Sequence, residues 1–308
     1  MHRRKQQLQE VSIIAPDKDG WEHWGRKFIE CFIGTSDFAS ECIIENPKVL
    51  RFTYNKNLSQ LSVYSNAPLI INNKALGYII TYQLEDFLID FKNNVVRYMG
   101  FTGFKEAVTN SQRRMRIWEK NRREAYEGSI MHFMRSLYAD SILADGFIVH
   151  EKIRVYPEDS IFTTTYQPGN QPKFASTNNK MYLINPAPAK QFKKTPEYID
   201  LVDTALFSFA KAVSFDAAKK QKTFYFENYL SLTYRNAFAK KDYLKQNGLP
   251  ENLKMMQYSD VMLVMDEPLI IEANGMFYNP ENILTSGYWG WHKMAETLPS
   301  DYVYEKRE

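Results

Sequence analysis

NSQRRMRIWEKNRREAYEGSIMHFMRSLYAD, residues 110–140, is the longest stretch of the chain with a helical period and no proline. Seven of its residues recur at steps of three and four, which places them on one stripe of a helix: Met115, Trp118, Arg122, Tyr126, Ile130, Phe133 and Leu137. The stripe predicts a long central helix that runs from the surface into a core. Its weak point is Gly128-Ser129, where a bend or break would fall, because glycine costs roughly 1 kcal/mol relative to alanine in a helix.

A second helical pattern precedes this stretch, at residues 19–33. Its apolar positions lie at helical spacing and Gly34 follows as a C-terminal cap: Trp21, Trp24, Phe28, Cys31 and Phe32. From residue 46 the period changes to two, which is typical of strands. The segments that read as strands are 50–54, 61–63, 68–71, 78–85, 96–99, 147–155, 223–235 and 261–265, with a tight hairpin at Asn274-Gly275 and a short helix over 291–298.

These patterns predict an α+β fold of antiparallel sheets packed with the helices over about 110–140 and about 19–33. We expect residues 1–16 to be a leader or linker and residues 17–308 to form a single domain. The segment 156–195 is polar and carries several prolines, so it is either a functional loop or a boundary between lobes at 17–155 and 180–308.

Composition narrows the class of protein. A formal net charge of +3 gives no argument for a nucleic-acid or anionic-membrane partner. The arginines of the 110–140 stretch alternate with glutamates, which indicates a solvated face more than a nucleic-acid surface. No apolar run approaches the roughly 20 residues that a spanning helix needs. The aromatic share of 15% favours strand-rich structure and aromatic-lined surfaces.

The motifs of several enzyme classes are missing from the sequence. Its five histidines form no zinc-binding pattern, and it has no nucleophile elbow, Walker loop or dinucleotide fingerprint. Cys31 and Cys42 are too few for a zinc site, and they are either buried thiols or a single bridge. We therefore expect no catalytic residue, no metal and no cofactor.

A ligand-binding role is conceivable for five residues. His132 and Arg135 share one helix face near Gly128, where they could hold a carboxylate. Tyr126, Trp289 and Trp291 could form an aromatic platform for a sugar or a peptide. The alternative for all five is a structural role, because most buried polar groups are simply hydrogen-bonded and aromatic residues build strand-rich cores.

Several motifs, in order along residues 20–302, carry a family resemblance. They are Phe32-Ile33-Gly34-Thr35, the run 71–78 (INNKALGY), the helix residues from Trp118 to Tyr138, Ser286-Gly287-Tyr288-Trp289 and Leu298-Pro299-Ser300-Asp301-Tyr302. The chain resembles the C-terminal region of Bacteroidota proteins known as carboxypeptidase-like regulatory domain-containing proteins. At Asn72 it departs from the acid that is more common in that family.

The resemblance implies an exported protein of the cell envelope, in the periplasm or at the outer membrane, with a signal peptide and a small β-sandwich before this region. Residues 8–13 resemble the exit from that sandwich, so we expect a fragment or a shortened relative. The resemblance implies no peptidase activity and no catalytic residues. We expect a non-enzymatic envelope module that binds a protein, peptide or glycan. The alternative is a hydrolase of envelope peptides or glycans with a site assembled across the fold, and the oligomeric state is open.

Overall fold

The computed structural model describes residues 15–156, 173–177, 180–184 and 198–305. The expected leader at residues 1–16 and the expected irregular segment at 156–195 lie largely outside these ranges, and their roles stay predictions. The described part of the chain is α+β with mostly antiparallel sheets, as predicted. Its helices are α1 Gly20–Phe32, α2 Asp37–Ser40, α3 Gln112–Tyr126, α4 Ile130–Tyr138, α5 Lys241–Gln246 and α6 Gly287–Trp291.

The strands fall into three sheets. In chain order they are β1 Cys42–Ile44, β2 Leu50–Asn55, β3 Gln60–Ser65, β4 Leu69–Asn73, β5 Tyr78–Asp90, β6 Val95–Glu106, β7 Phe147–Val155, β8 Lys173–Thr177, β9 Lys180–Ile184, β10 Ile199–Asp203, β11 Val213–Asp216, β12 Gln221–Phe224, β13 Tyr229–Phe238, β14 Met256–Leu263, β15 Leu269–Ile271, β16 Phe277–Tyr278 and β17 Ile283–Ser286. Their spatial orders are β1-β4-β5-β3-β2 with β6 beside β5, then β17-β14-β13-β7-β10-β9-β8, and β11-β12-β15-β16.

The single helix expected over 110–140 is two helices, α3 and α4. Ser111 caps α3, and its hydroxyl accepts from Arg114 N–H at 3.3 Å. Gly128 adopts a left-handed φ of 77°, which ends the first helix, and the Ser129 hydroxyl accepts from His132 N–H at 3.1 Å to begin the second. Gly128 therefore terminates α3, and Ser129 is the N-cap of α4.

The segment 223–235, which the sequence predicts to be one long strand or a pair of strands, is a pair: it is divided between β12 and β13, which belong to different sheets. The helix expected over 291–298 is not one helix: α6 ends at Trp291, His292 is extended (φ −62°, ψ 133°), and a single 3₁₀ turn follows at Met294–Glu296. The helix expected over 19–33 and the hairpins at 50–63, 78–99 and 269–278 are present.

The chain divides into two compact units. The first takes its described residues from Met1–Ile33, Ile43–Asn72 and Tyr78–Ala107, and the second from Gly34–Cys42, Asn73–Gly77 and Val108–Glu308. In the first unit, α1 packs on the six-stranded sheet. Phe28 and Phe32 are fully buried, and their rings contact those of Phe52, Tyr82 and Phe87 at centroid distances of 4.8–6.2 Å.

In the second unit, α4 packs on the core face of the seven-stranded sheet. Val149, Leu230, Leu232 and Val261 point from that sheet toward Phe133. The α3 helix instead holds the turn at residues 73–77: Trp118 Nε1–H donates to Lys74 O at 2.9 Å and Arg122 Nε–H to Leu76 O at 2.8 Å. Arg122 thus has a place on an otherwise apolar stripe because its guanidinium meets backbone carbonyls.

We expect Gly77→Ala to destabilise the protein by about 2–3 kcal/mol. Gly77 has a φ of 70°, and a Cβ there would lie 2.2 Å from the Trp118 ring. Urea unfolding followed by far-UV circular dichroism measures the change. Gly248→Ala is the matched control, because Gly248 has a φ of 67° with nothing within 4 Å of its Cβ position, so this variant measures backbone strain alone. Equal losses in the two variants would show that the Trp118 contact contributes nothing.

Candidate functional site

Of the five sequence-predicted binding residues, Tyr126, His132 and Trp289 are buried in the second unit, and Arg135 and Trp291 are half-buried. Tyr126 and His132 are 5% and 6% exposed, and their ring centroids are 4.7 Å apart. Gly128 N–H donates to His132 Nδ1 at 3.2 Å. The Arg135 guanidinium lies 5.4 Å from the centre of the Tyr126 ring. The structure therefore brings these three residues together: His132 and Arg135 share a face of α4, and Tyr126 reaches them from the end of α3.

Arg135 holds backbone in this structure. Its guanidinium donates to the carbonyls of Asn274, Ser300 and Tyr302 at 2.7, 3.0 and 2.8 Å. These bonds tie α4 to the β15–β16 turn and to the C-terminal segment. Whether these residues also bind a ligand stays a prediction.

The two tryptophans lie in different clusters. Trp289 is 5% exposed, and its Nε1–H donates to Gly128 O at 2.7 Å. Trp291 is half-buried and contacts the rings of Tyr243 and Tyr288 at 5.7 and 5.3 Å, while its Nε1–H donates to Gln246. The aromatic platform expected from Tyr126, Trp289 and Trp291 is therefore not one continuous surface.

The structure also locates the two cysteines. Cys31 and Cys42 are free thiols, the first buried and the second half-buried. Burial raises the pKa of Cys42 to about 12. Within the described residues, no group of three or more histidine, cysteine or acidic side chains is arranged to hold a metal ion. No helix in the described ranges is long and apolar enough to cross a membrane.

A surface groove of about 500 Å³ lies where α4 ends beside the edge of the four-stranded sheet. We call it the β11 groove. Its lining residues are Tyr138, Asp140, Phe209, Ala210, Val213, Ser214, Phe215 and Lys222. Its volume is in the range of small-ligand and side-chain sites. None of the five sequence-predicted residues is among those that line it.

The apolar wall of the β11 groove is aromatic. Phe215 on β11 is 56% exposed, and its ring packs edge-on against Tyr138 with centroids 6.3 Å apart. Tyr138 is fixed in place because its hydroxyl donates to Lys220 O at 2.9 Å. Phe209 completes the wall and rests on buried Phe224 at 6.0 Å. The rings are thus held by the fold but open to the groove.

The polar part of the β11 groove is an ion pair at the end of α4. Lys222 is 6% exposed, and its Nζ lies 2.6 Å from Asp140 Oδ1 and donates to Leu137 O at 3.2 Å. A cation at a helix C-terminus is favoured by the helix dipole. An ammonium has three N–H donors, and two acceptors meet this one within the described residues, so one donor can meet an oxygen of a ligand.

The backbone of β11 is the third component of the groove. β11 pairs with β12 on one side and is the first strand of its sheet. Among the described residues no strand pairs with its other side. Such an edge presents N–H and C=O groups that an extended chain can pair with.

Sequence reasoning missed the β11 groove because its residues come from three separate segments. The available signal was modest: Phe207, Phe209 and Phe215 stand in an alanine-rich stretch before β12 that also carries three lysines. Aromatic residues in such a stretch indicate either a satellite core or a contact surface. The structure shows both, because Phe207 and Phe209 pack against the core of the second unit and Phe215 is exposed.

A second polar cluster lies on the face of the seven-stranded sheet opposite its core. Lys152 is 2% exposed, and its Nζ lies 3.1 Å from Asp200 Oδ2 and 2.6 Å from Asp260 Oδ2. Arg154 donates to both oxygens of Asp200 at 2.8 and 3.1 Å, and Tyr258 donates to Asp260 at 2.6 Å. Burial opposes the ionisation of Asp200, but the bonds and charges of Arg154 and Lys152 outweigh it and lower its pKa. Each charge here has a partner, as a structural network requires.

A buried carboxyl group marks a third cluster. Glu296 is 7% exposed; the Ser36 hydroxyl donates to its Oε1, and Lys293 N–H donates to its Oε2 at 2.9 Å. Burial raises the pKa of Glu296 to about 7, against the lowering effect of these hydrogen bonds. His292 beside it is driven the other way, because burial lowers its pKa to about 3.

The comparisons with known proteins give no relative. No family model, no curated protein and no solved structure matches this chain.

Proposed function

We propose that this chain is a non-enzymatic binding module of the cell envelope, and that the β11 groove holds an extended peptide segment of a partner protein. The observation that carries the proposal is that exposed Phe215 and buried Lys222 line one groove beside β11, a strand whose outer edge is unpaired among the described residues. The envelope location rests on the sequence resemblance alone.

The strand edge favours a peptide over a glycan. An extended peptide that adds to a sheet edge gains main-chain hydrogen bonds, and side-chain pockets beside the edge supply specificity. In the β11 groove an apolar or aromatic ligand side chain would lie against Phe215 and Tyr138. A ligand carbonyl or carboxylate oxygen would accept from Lys222. A glycan would use the rings and the ion pair but not the strand edge.

The hydrolase alternative has weaker support. A general acid or base needs a pKa near the working pH, and Glu296 has such a pKa. Glu296 is not among the residues that line the β11 groove, however. The group suited to proton transfer and the surface suited to a substrate are therefore different places in the second unit.

Peptide selection tests the proposal. Peptides selected from a random phage-displayed library against the purified chain are synthesised, and their Kd is measured by calorimetry. We expect Phe215→Ala to weaken binding by about tenfold or more, the effect of losing one aromatic contact. Phe238→Ala is the matched control, because Phe238 is 57% exposed on β13 and does not line the groove. We expect it to leave Kd unchanged.

Two results would overturn the proposal. One is a set of selected peptides that bind the Phe215→Ala variant as tightly as the unchanged chain. The other is cleavage of those peptides by the purified protein, read by mass spectrometry and lost in Phe215→Ala, which would favour the hydrolase alternative instead.

A further inference from the structure

The β6 strand of the first unit is a long sheet edge. It spans Val95–Glu106 and pairs with β5 along this whole length. Within the described residues no strand pairs with its other side. Phe101 is 72% exposed and Met99 is 39% exposed on its outer face. A long edge with exposed apolar side chains is a template for pairing with another chain.

The middle of β6 is self-complementary. It reads Gly100-Phe101-Thr102-Gly103-Phe104. When two copies pair antiparallel about Thr102, Gly100 stands opposite Phe104 and Phe101 stands opposite Gly103. Phe101 then has Gly103 across from it, a glycine whose Cβ position has its nearest neighbour, Thr81 O, 3.9 Å away. Aromatic residues are known to cover cross-strand glycines in this way.

Within the β5–β6 ladder, one aromatic ring already covers a glycine from a diagonal position. Gly100 faces β5 with no room for a Cβ, which would lie 2.7 Å from the ring of Tyr82. The Tyr82 ring therefore lies over Gly100, and Phe104 packs edge-on against Tyr78 at 5.6 Å. An aromatic ring thus covers a glycine once in the β5–β6 ladder, and pairing about Thr102 would add a second contact of this kind, Phe101 over Gly103, at the free edge.

Charge excludes one of the neighbouring registers. Two copies related by a two-fold axis normal to the sheet place side chains of the same face opposite each other. The numbers of two opposite residues therefore add up to an even number, and moving the centre of the pairing by one residue changes that sum by two. Pairing about Phe101 would place Arg97 opposite Lys105, and like charges directly opposite are destabilising. Pairing about Thr102 places Met99 opposite Lys105 and Tyr98 opposite Glu106. Arg97 is then opposite Ala107 and keeps its ion pair with Asp86 at 3.0 Å.

We propose that the chain forms a homodimer by antiparallel pairing of β6 with β6 of a second copy, centred on Thr102. A second copy is the occupant because the edge is complementary to its own sequence. The dimer joins the two six-stranded sheets into one continuous sheet. The β11 groove belongs to the second unit and takes no part in this dimer. The dimer proposal and the peptide-binding proposal can therefore be tested separately.

Sedimentation equilibrium across a range of protein concentrations tests the dimer. We expect the unchanged chain to be a reversible dimer, and we expect Phe101→Glu to raise the dimer Kd at least about tenfold, because it replaces the ring opposite Gly103 with a charge. Phe238→Glu, at a similarly exposed position in the second unit, should leave the Kd unchanged. Circular dichroism confirms that both variants are folded. A monomer at every concentration, or a dimer that Phe101→Glu does not weaken, overturns the proposal.

Disulfide trapping tests the register. In a Cys42→Ser background, we expect Thr102→Cys to form a covalent dimer on mild oxidation, because the two thiols are directly opposite. Lys105→Cys is the control, since its two copies would stand about 20 Å apart along the strands at this register. Dimers trapped equally well at both positions contradict pairing about Thr102.

Discussion

Replacing Lys152 with methionine should lower the free energy of unfolding by about 3–5 kcal/mol, the usual cost of removing one partner from a buried ion pair. Methionine fills much of the same space, so the loss is mainly electrostatic. Asp200 keeps its two bonds from Arg154, but Asp260 keeps only the hydroxyl of Tyr258. The variant therefore buries a carboxylate without a cation.

The pH dependence distinguishes this cause from lost packing. Arg154 and Lys152 hold the pKa of Asp200 below its ordinary value of 3.8, and Lys152→Met removes one of these two causes. A lowered carboxyl pKa stabilises the folded state at pH values above the ordinary pKa, so the penalty should be largest at neutral pH and should shrink as the pH falls below about 3.8. Denaturant unfolding at several pH values measures both effects.

Arg97→Met is the matched control for Lys152→Met. Arg97 pairs with Asp86 on the neighbouring strand, but the side chains of that pair are 58% and 42% exposed. Exposed pairs contribute about 0–1 kcal/mol. A Lys152→Met loss no larger than that of Arg97→Met, or a loss that does not change with pH, would show that the cluster is not a buried ionic network.

Replacing Glu296 with glutamine should stabilise the protein at pH 8 by an amount on the order of 3 kcal/mol. Burial holds the pKa of Glu296 at about 7, above its ordinary value of 4.5. The folded state therefore binds this proton more tightly than the unfolded state does. The stabilisation that the proton provides is complete below about pH 4.5 and is lost as the pH rises through about 7.

Glutamine imitates the protonated carboxyl group. Its oxygen can accept from Lys293 N–H and its amide can donate to the Ser36 hydroxyl, which already accepts from Ala39 N–H at 3.1 Å. The charges that face this site, Asp37 and Lys240, are unchanged. The two proteins should thus be about equally stable near pH 4 and should diverge above pH 5, as Tm measured in matched buffers will show.

Glu41→Gln is the control for the buried position. Glu41 is exposed just after α2, and surface substitutions usually change stability by less than about 0.5 kcal/mol. If Glu296→Gln is destabilising at pH 8, the carboxylate is needed in its charged form, and burial does not dominate its pKa.

Local patterns in the sequence predicted the simplest parts of the fold. The hairpins at β2–β3 and β5–β6 follow from alternation and from the turns at Asn55–Asn57 and Asn93-Asn94. At residues 110–140 the pattern located the interruption, but a continuous apolar stripe was read as one helix. Periodicity does not register a glycine in a left-handed conformation, and the Cβ position of Gly128 is filled by Gln257 and the Tyr234 ring, which come from distant strands.

The β11 groove depends on long-range contacts that no local pattern encodes. Lys222 belongs to it because the end of α4 lies beside β12, and Phe215 because the β11 edge has no paired strand among the described residues. The predicted pair of His132 and Arg135 was brought together by helical spacing. The partners of Arg135 at Ser300 and Tyr302 are more than 160 residues away in the chain, and nothing near Arg135 indicated them.

The two units are interleaved along the sequence, and this limits where the gene can be divided. The chain passes between them after residues 33, 42, 72, 77 and 107. Any break between residues 34 and 107 therefore separates parts of both units, and no fragment that ends inside this interval contains either of them whole. Halves of this protein made for reconstitution or for reporter fusions should be divided after residue 107, where only the second unit is cut.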